Sequence, residues 1–300
     1  MRVRVLGSAA GGGFPQWNCG CTNCDGVRRG DSSLTARTQD SLALSADGDQ
    51  WLVLNASPEI RAQIESFDRL HPRSARHSPI AGIVLTNGDL DHTLGLFSLR
   101  ESHPIHVYAT RAVRDGIVDG NIMHRTLERF AGQVTWHVIE LGGPAVDAAG
   151  LSLQAFAVAG KRPVHLERAG DPTPEDNIGI VVRDSAGRRL AYVCGAASVD
   201  DDVRSRIEGV DALFFDGTFW SSDELTRPGL GKARAEDMAH WPLGGENGSV
   251  AGLASVRAGK KIFTHINNTN PILREGSVER RAVEAAGWIV ARDGMEFELG

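Results

Sequence analysis

The chain has 300 residues and a net charge of −6, from 32 Lys+Arg against 38 Asp+Glu. That balance argues against an extended nucleic-acid face or a surface built for anionic membrane, while 41% hydrophobic residues suffice for a large core and exclude wholesale disorder. No run approaches the ~18 apolar residues of a membrane span, and the opening MRVRVLGSAAGGG, broken by glycines, reads as strand and turn rather than a signal peptide, so a soluble cytoplasmic protein is expected.

In chain order, Arg2–Leu6 alternates as a strand. Leu42–Ser45 and Trp51–Asn55 flank Ala46-Asp47-Gly48-Asp49 and predict a hairpin. Ser57-Pro58 opens a helix running to about Phe67, with Ser57 as its cap. Ala81–Thr86 is a continuous apolar run, the pattern of a buried strand, and a helix-like stretch follows over Thr93–Leu99. Ile105–Ala109 is a strand, after which Thr110 caps a helix. Strands are expected over Val134–Ile139, Leu151–Val158, Ile178–Arg183 and Arg189–Cys194, then a helix over Val199–Ile207. Ala212–Phe215 is a buried strand ending on Asp216, Ser249–Ala258 a helix capped by Ser249, and Lys261–Thr264 a strand ending on His265. A helix over Val278–Ala286 precedes two strands, Trp288–Ala291 and Met295–Leu299, expected to pair across Asp293-Gly294.

Hairpins first, then strands alternating with helices, favour two packed sheets with outer helices over a doubly wound parallel sheet. No linker separates the chain into halves; His71–Ser78 and Glu167–Asp176 read as excursions from one domain spanning residues 1–300.

Three of the four cysteines crowd into Cys19-x-Cys21-x-x-Cys24, within a loop of about 17–26. Thiolates are good zinc ligands, and structural zinc takes four N or S donors in a tetrahedron; three reduced surface thiols with no other purpose would be oxidation-prone. A structural zinc is therefore expected, with a fourth ligand from a distant His, Asp or Asn or from a second subunit. Cys194, alone in LAYVCGAA, reads as a small buried hydrophobe.

The second constellation is Thr86-Asn87-Gly88-Asp89-Leu90-Asp91-His92, where Asp89, Asp91 and His92 emerge at the end of a buried strand. On its own it equally describes an acidic helix N-terminus. His265, in FTHINNTNP, and Asp216, in FFDGTFW, also follow buried strands. Three such polar strand ends favour one shared site, where ligands collect at sheet edges.

LGSAAGGGFP, QWNCGCTNC, TNGDLDH, FFDGTFW and HINNTNPIL together resemble the metallo-β-lactamase superfamily, and within it the family of coenzyme PQQ synthesis B proteins, essentially end to end. The resemblance implies an αββα sandwich, two mixed β-sheets flanked by helices, with the metal site at their shared edge. It further implies a homodimer, and a small aromatic, amino-acid-derived precursor as partner, made from a cross-linked Glu and Tyr.

The departures from the superfamily pattern shape the chemistry. Its ligand motif His-x-His-x-Asp-His here reads Asn87-x-Asp89-x-Asp91-His92; Gly160 and Lys161 stand where a further His is usual, and the bridging Asp falls at Cys194-Gly195. A two-zinc hydrolase is not assembled in the usual way. Asp91, His92 and His265 remain, with Asp89 or Asp216 as further oxygen donors. Two imidazoles and a carboxylate with open positions is the donor set of non-haem Fe(II) oxygenases. Iron is favoured, and Mn, Cu, Mg or Zn would also be held.

His240, in MAHWP with Gly244-Gly245, resembles the Gly-His-Ser-Thr region of tRNA-processing relatives, where a His donates a proton; imidazole suits acid/base work near neutrality. Lys161 or Arg162 either grips a substrate carboxylate or belongs to a solvated surface pair. Phe14, Trp17, Phe219 and Trp220 either wall an aromatic pocket or belong to the core. His71, His77, His103, His106, His124, His137 and His165 show no ligand spacing. Gly11-Gly12-Gly13 reads as a tight turn bringing backbone near the metal rather than a phosphate cradle. Three functions follow in order: a metal-dependent oxygenase or hydroxylase of quinone-cofactor biosynthesis, a carrier for that cofactor or its precursor, and a residual hydrolase.

Overall fold

The computed structural model describes residues 1–169 and 171–300, so the second expected excursion is described except at Gly170. Strands β1 (Arg2–Gly7), β2 (Ser41–Ser45), β3 (Trp51–Leu54), β4 (Ile80–Val84), β5 (Ile105–Ala109) and β6 (Val134–Val138) lie side by side in a first sheet. The second sheet takes β7 (Val146–Ala148), β8 (Leu151–Ala157), β9 (Ile178–Asp184), β10 (Arg189–Val193), β11 (Val210–Asp216), β12 (Ala258–Thr264) and β13 (Trp288–Val290). The last strand, β14 (Glu296–Glu298), returns to the first sheet beside β1. Both sheets are mixed: β1–β2–β3 and β8–β9–β10 are antiparallel, whereas β3–β4–β5–β6 and β10–β11–β12–β13 are parallel.

Helices α1 (Thr22–Arg28), α2 (Ile60–Glu65), α3 (Leu90–Thr93), α4 (Arg111–Val118), α5 (Asp201–Ile207), α6 (Ser249–Gly252) and α7 (Val278–Ala285) connect the strands. Val3, Leu44 and Leu54 of the first sheet meet Ile180, Tyr192 and Phe214 of the second in one buried cluster between the layers. Separate apolar clusters lie under the outer helices, as expected when each strand alternates its side chains between two covered faces. This is the expected αββα sandwich. No helix among the described residues is long and apolar enough to cross a membrane.

Several local expectations need correction. The strands of residues 288–290 and 296–298 do not pair with each other: β13 lies parallel to β12 and β14 antiparallel to β1, in different sheets. The carboxylate of Asp293 accepts from Ser8 Oγ and from Thr38, and Gly294 and Met295 bond to Val5, so the turn steers the chain across the sandwich. Ser57 does not cap α2; its carbonyl accepts from Ile60 while its hydroxyl is unpartnered. That helix stops at Glu65 because Phe67 turns in to meet Trp51 edge-on, ring centres 5.0 Å apart. Ser249 likewise begins α6 without capping it, Gly248 holding the cap position. The helix ends at Gly252, where a Cβ would collide with the Trp241 ring, and β12 already begins at Ala258. Thr110 caps α4 as expected, accepting from Val113, and α5 begins at Asp201 rather than Val199, with Asp200 as its cap.

Candidate active site

The parallel strands β4, β11 and β12 end at one edge of the sandwich, and the loops leaving them build the site. The loop after β4 turns at once into α3, which carries Asp91 and His92. Gly95, just beyond, fits because a Cβ there would collide with the Ser57 carbonyl oxygen. The residue after β12 is His265, held at φ 53°, a left-handed backbone that a residue other than glycine adopts at a cost. Asp216 is the last residue of β11.

These loops bring Asp91 Oδ2 to 3.1 Å from His265 Nε2 and 3.5 Å from His92 Nε2. One donor atom from each of the three residues lies within 4.8 Å of the others. Both rings are anchored through their far nitrogens. His92 Nδ1 meets Thr86 Oγ1 at 3.3 Å, and His265 Nδ1 meets Thr218 Oγ1 at 2.9 Å. The Thr218 hydroxyl donates to Asp216 Oδ1 (2.6 Å), so its oxygen is left to accept from the Nδ1–H of His265. His92 Nε2 is buried without a hydrogen-bond partner. An orphaned imidazole nitrogen beside a carboxylate and a second Nε2, with both Nδ1 atoms held by hydroxyls, fits a bound divalent cation.

The electrostatics of the three groups differ. Burial opposes ionisation of Asp91, yet the flanking imidazoles of His92 and His265 hold its carboxyl well below the usual carboxylate range. Burial pushes His92 down to about 4, keeping it a neutral donor. Burial also opposes the charged form of His265, but the Asp91 hydrogen bond and the charges of Asp91, Asp40 and Asp216 raise it to about 9.

Asp216 stands in a second triple with His240 and His265. Its Oδ2 accepts from Ala196 N–H (2.9 Å) and from His240 Nδ1–H (2.7 Å), and its Oδ1 from Thr218 N–H (3.0 Å) and Oγ1–H. A carboxylate has about four acceptor sites, and through one of them Asp216 orients His240, while its triple with His240 and His265 keeps three donor atoms within 4.8 Å of one another. Asp89 lines the same cleft but belongs to neither triple. Burial and the neighbouring Asp91 raise its pKa, and Lys161 counteracts them.

The cleft has a volume of about 450 Å³. Lys161, Phe219, His240 and Gly11 line it, whereas Arg162 is drawn away by the Asp171 carbonyl (2.8 Å) and Asp176. Of the four candidate wall aromatics, Phe219 alone qualifies, 5.9 Å from the His240 ring centre. Phe14 is core, Trp17 is 86% exposed, and Trp220 packs on Gly244 outside the cleft. The glycine turn does approach the site: a Cβ on Gly11 would lie 3.3 Å from Asp91 Oδ2. Sequence reasoning missed His165 and Asn177, which also line the cleft. Asn177 donates to the Val158 and Gly195 carbonyls and accepts from Asn87 (3.5 Å). An amide pair thus fills the region where the superfamily pattern puts histidines, and an Asn after a loop carries no signal that would have flagged it.

Cys194 is buried as expected, but it is not merely apolar packing. Its thiol lies 3.3 Å from Thr86 Oγ1 and 3.6 Å from Asn55 Nδ2, and burial pushes its pKa far up. At the other end of the His265 loop, Cys19, Cys21 and Cys24 bring their sulfurs within 4.8 Å of one another. The helix α1, which the spacing did not reveal, starts inside this motif with Cys21 as its cap. Burial pushes the Cys24 thiol up to about 11, and a cation at the cluster would offset that by favouring the thiolate.

A family model described as beta-lactamase superfamily domain matches residues 50–266. The chain is 47% identical over 305 residues to the coenzyme PQQ synthesis protein B of Methylobacterium sp. (strain 4-46), covering 100% of both. Identity is 45% over 303 residues with the protein of that name from Rhizobium meliloti (strain 1021), covering 100% of this chain and 98% of the relative. A crystal structure of Zn(2+)-bound PqqB from Methylobacterium extorquens matches with a TM-score of 0.94 at 46% identity, over 100% of each chain.

Proposed function

The chain belongs to the coenzyme PQQ synthesis protein B family of the β-lactamase superfamily, and on that premise we propose that it is a metal-dependent oxygenase or hydroxylase of pyrroloquinoline quinone biosynthesis. The observation that carries the reading is the convergence of Asp91, His92 and His265, two imidazoles and one carboxylate, on one side of an accessible cleft. A divalent cation held there, iron in preference to Mn, Cu, Mg or Zn, would supply open positions for O₂ beside an aromatic substrate.

The rest falls to the chain itself. Thr86 and Thr218 fix the rings so that their Nε2 atoms face Asp91. Asp216 keeps a proton on His240 Nδ1, leaving Nε2 as the atom that exchanges a proton with a phenolic substrate. Lys161 binds a substrate carboxylate, and Phe219 packs on the tyrosine-derived ring. In the hydroxylation proposed, one atom of O₂ enters a ring C–H bond as hydroxyl. The other leaves as water with two protons and two electrons from an added donor such as ascorbate.

The test is oxygen uptake by Fe(II)-loaded protein with a Glu–Tyr-derived substrate and ascorbate. Substrate-dependent uptake with a hydroxylated product is expected; no uptake above the ascorbate control would end the reading. The Asn87–Asn177 amide pair favours a second reading, a carrier of the cofactor or its precursor that needs no reactive cation. A carrier keeps its aromatic ligand after His92→Ala and His265→Ala, whereas an oxygenase loses turnover. The shared core between the sheets supports one domain over the whole chain. Trp17, exposed beside the cysteine cluster, supports pairing with a second copy there.

A further inference from the structure

On a chain of net charge −6, one concavity is basic. A cavity of about 300 Å³ on the outer face of the second sheet is lined by Arg183, Arg189 and Arg206, with Ser152, Gln154 and Ser205, and by no carboxylate among the described residues. The sheet register builds it: β8, β9 and β10 set Ser152, Arg183 and Arg189 side by side in one row. Ala191 and Val193, two and four residues on from Arg189, belong to an apolar cluster under the outer helices, so the row faces outward. Ser205 and Arg206 of α5 form the wall over that row. Like charges directly opposite on antiparallel strands repel, and Arg183 and Arg189 are such a pair. Arg189 turns Nη2 to the carbonyls of Glu208 (3.3 Å) and Gly209 (2.8 Å), and Arg206 reaches Asp202 in an exposed i,i+4 contact of 3.4 Å, whereas Arg183 has no partner among the described residues. Of the nearby acids, Asp211 accepts from the backbone N–H of Arg189 (2.6 Å), and Asp147, opposite Ser152 on β7, is exposed and outside the cavity lining.

Guanidinium groups grip oxyanions through paired N–H donors. Three of them, from two strands and a helix, outnumber the two oxygens of a single carboxylate. A tetrahedral oxyanion offers one oxygen to each guanidinium and a further one to the Ser152 hydroxyl or the Gln154 amide. We infer that this cavity is a binding site for a dianionic phosphate-type group, free or as a monoester, and that the bound anion relieves the repulsion between Arg183 and Arg189. The site is separate from the metal cleft. Asn177 and Gly195 line the cleft at one end of β9 and β10, and Arg183 and Arg189 lie at the other, roughly 20 Å of strand away.

Calorimetric titration and thermal unfolding of the full-length protein with inorganic phosphate test this, at ionic strength matched with chloride because salt screens any exposed charge. Wild type is expected to bind phosphate and to rise in Tm with it. Arg183→Gln is expected to weaken phosphate at least about tenfold, the loss of one charge-assisted hydrogen bond. Without phosphate the same variant should match or exceed the wild-type Tm, because one of two opposed charges is gone. Acetate, planar and monovalent, is expected to leave the wild-type Tm unmoved. Glycerol phosphate separates the two sources: tighter binding than inorganic phosphate assigns the group to an ester, and equal or weaker binding assigns it to the free ion. An equal rise in Tm with phosphate for wild type and Arg183→Gln is general stabilisation by an excluded anion and overturns the site. A lower Tm of Arg183→Gln without phosphate also overturns it, since the arginine would then be structural. His92→Ala, altered only in the cleft, should bind phosphate as wild type does; loss of binding there would put the anion in the cleft instead.

Discussion

Asp91 Oδ2 and His265 Nε2 stand 3.1 Å apart although they are 174 residues apart in the chain and come from opposite layers of the sandwich. Asp91 is delivered by the helix after β4 in the first sheet, and His265 by the loop after β12 in the second. The site exists only when the two sheets close on each other, so a cation held there would be linked to sheet packing.

Removing one of the three donors should empty the cleft and leave the cysteine cluster loaded. Asp91→Asn, His92→Ala and His265→Ala are each expected to weaken Mn(II) or Fe(II) by at least about a hundredfold, more than losing a hydrogen-bond partner behind a ligand costs. Metal analysis after gel filtration checks this. Wild-type loading of the cleft in His265→Ala would show that the cation lies elsewhere.

The four hydrogen bonds accepted by Asp216 predict a different phenotype. Asp216→Asn should leave the metal content unchanged and lower turnover by roughly 10²–10⁴, the usual range for a positioned proton-transfer group. The loss should fall on kcat rather than KM, because His240 loses the carboxylate that sets its tautomer. Oxygen-uptake rates across substrate concentration, with metal content determined on the same samples, are the measurement. Loss of metal in parallel with activity would make Asp216 a ligand instead.

Lys161 and Arg162 are neighbours in sequence with opposite fates. Lys161→Met is expected to raise KM for a dicarboxylate substrate about tenfold with little change in kcat, the pattern of lost uniform binding. Arg162→Met, which breaks the contact with the Asp171 carbonyl, should leave KM alone and cost about 1 kcal/mol of stability. Steady-state kinetics and urea unfolding of both variants separate the two; equal effects on KM would mean that both side chains reach the substrate.

Asp40 predicts a pH dependence of folding. It is fully buried between the sheets, accepts from the hydroxyls of Tyr192 and Thr264, and is pushed up to about 6 by burial. Its unfolded value is roughly 3.9. Between those values the folded chain holds a proton that the unfolded chain has released. The contribution is therefore fully present below about 3.9 and is lost as pH rises through about 6. The window is worth on the order of 3 kcal/mol. Asp40→Asn cannot titrate, so its stability relative to wild type should improve by about that amount between about pH 4 and about pH 7. Urea unfolding at both values gives the double difference, and a value near zero would mean that Asp40 titrates normally.

Much of this protein is legible in its residues taken alone. The buried strands announce themselves as apolar runs because both faces of each are covered, and Asp91, His92, Asp216 and His265 stand out because each interrupts or ends such a run. The cysteine spacing points to a metal clip, since three thiols in six residues have few other uses. Local pattern fails wherever a contact from a distant segment decides the outcome. Ser57 and Ser249 have cap-like sequences, yet neither side chain caps its helix, and both helices are shorter than the local pattern suggests. The two C-terminal strands look like a hairpin but enter different sheets, because Asp293 is captured by Ser8 and Thr38. Which acid stands between His92 and His265 and which bonds His240, which of Lys161 and Arg162 faces the cleft, and that Asn268 reaches the cysteines were all decided by tertiary structure. Each depends on distances between groups far apart in the chain, and those are set by how two sheets pack rather than by the identity of neighbouring residues.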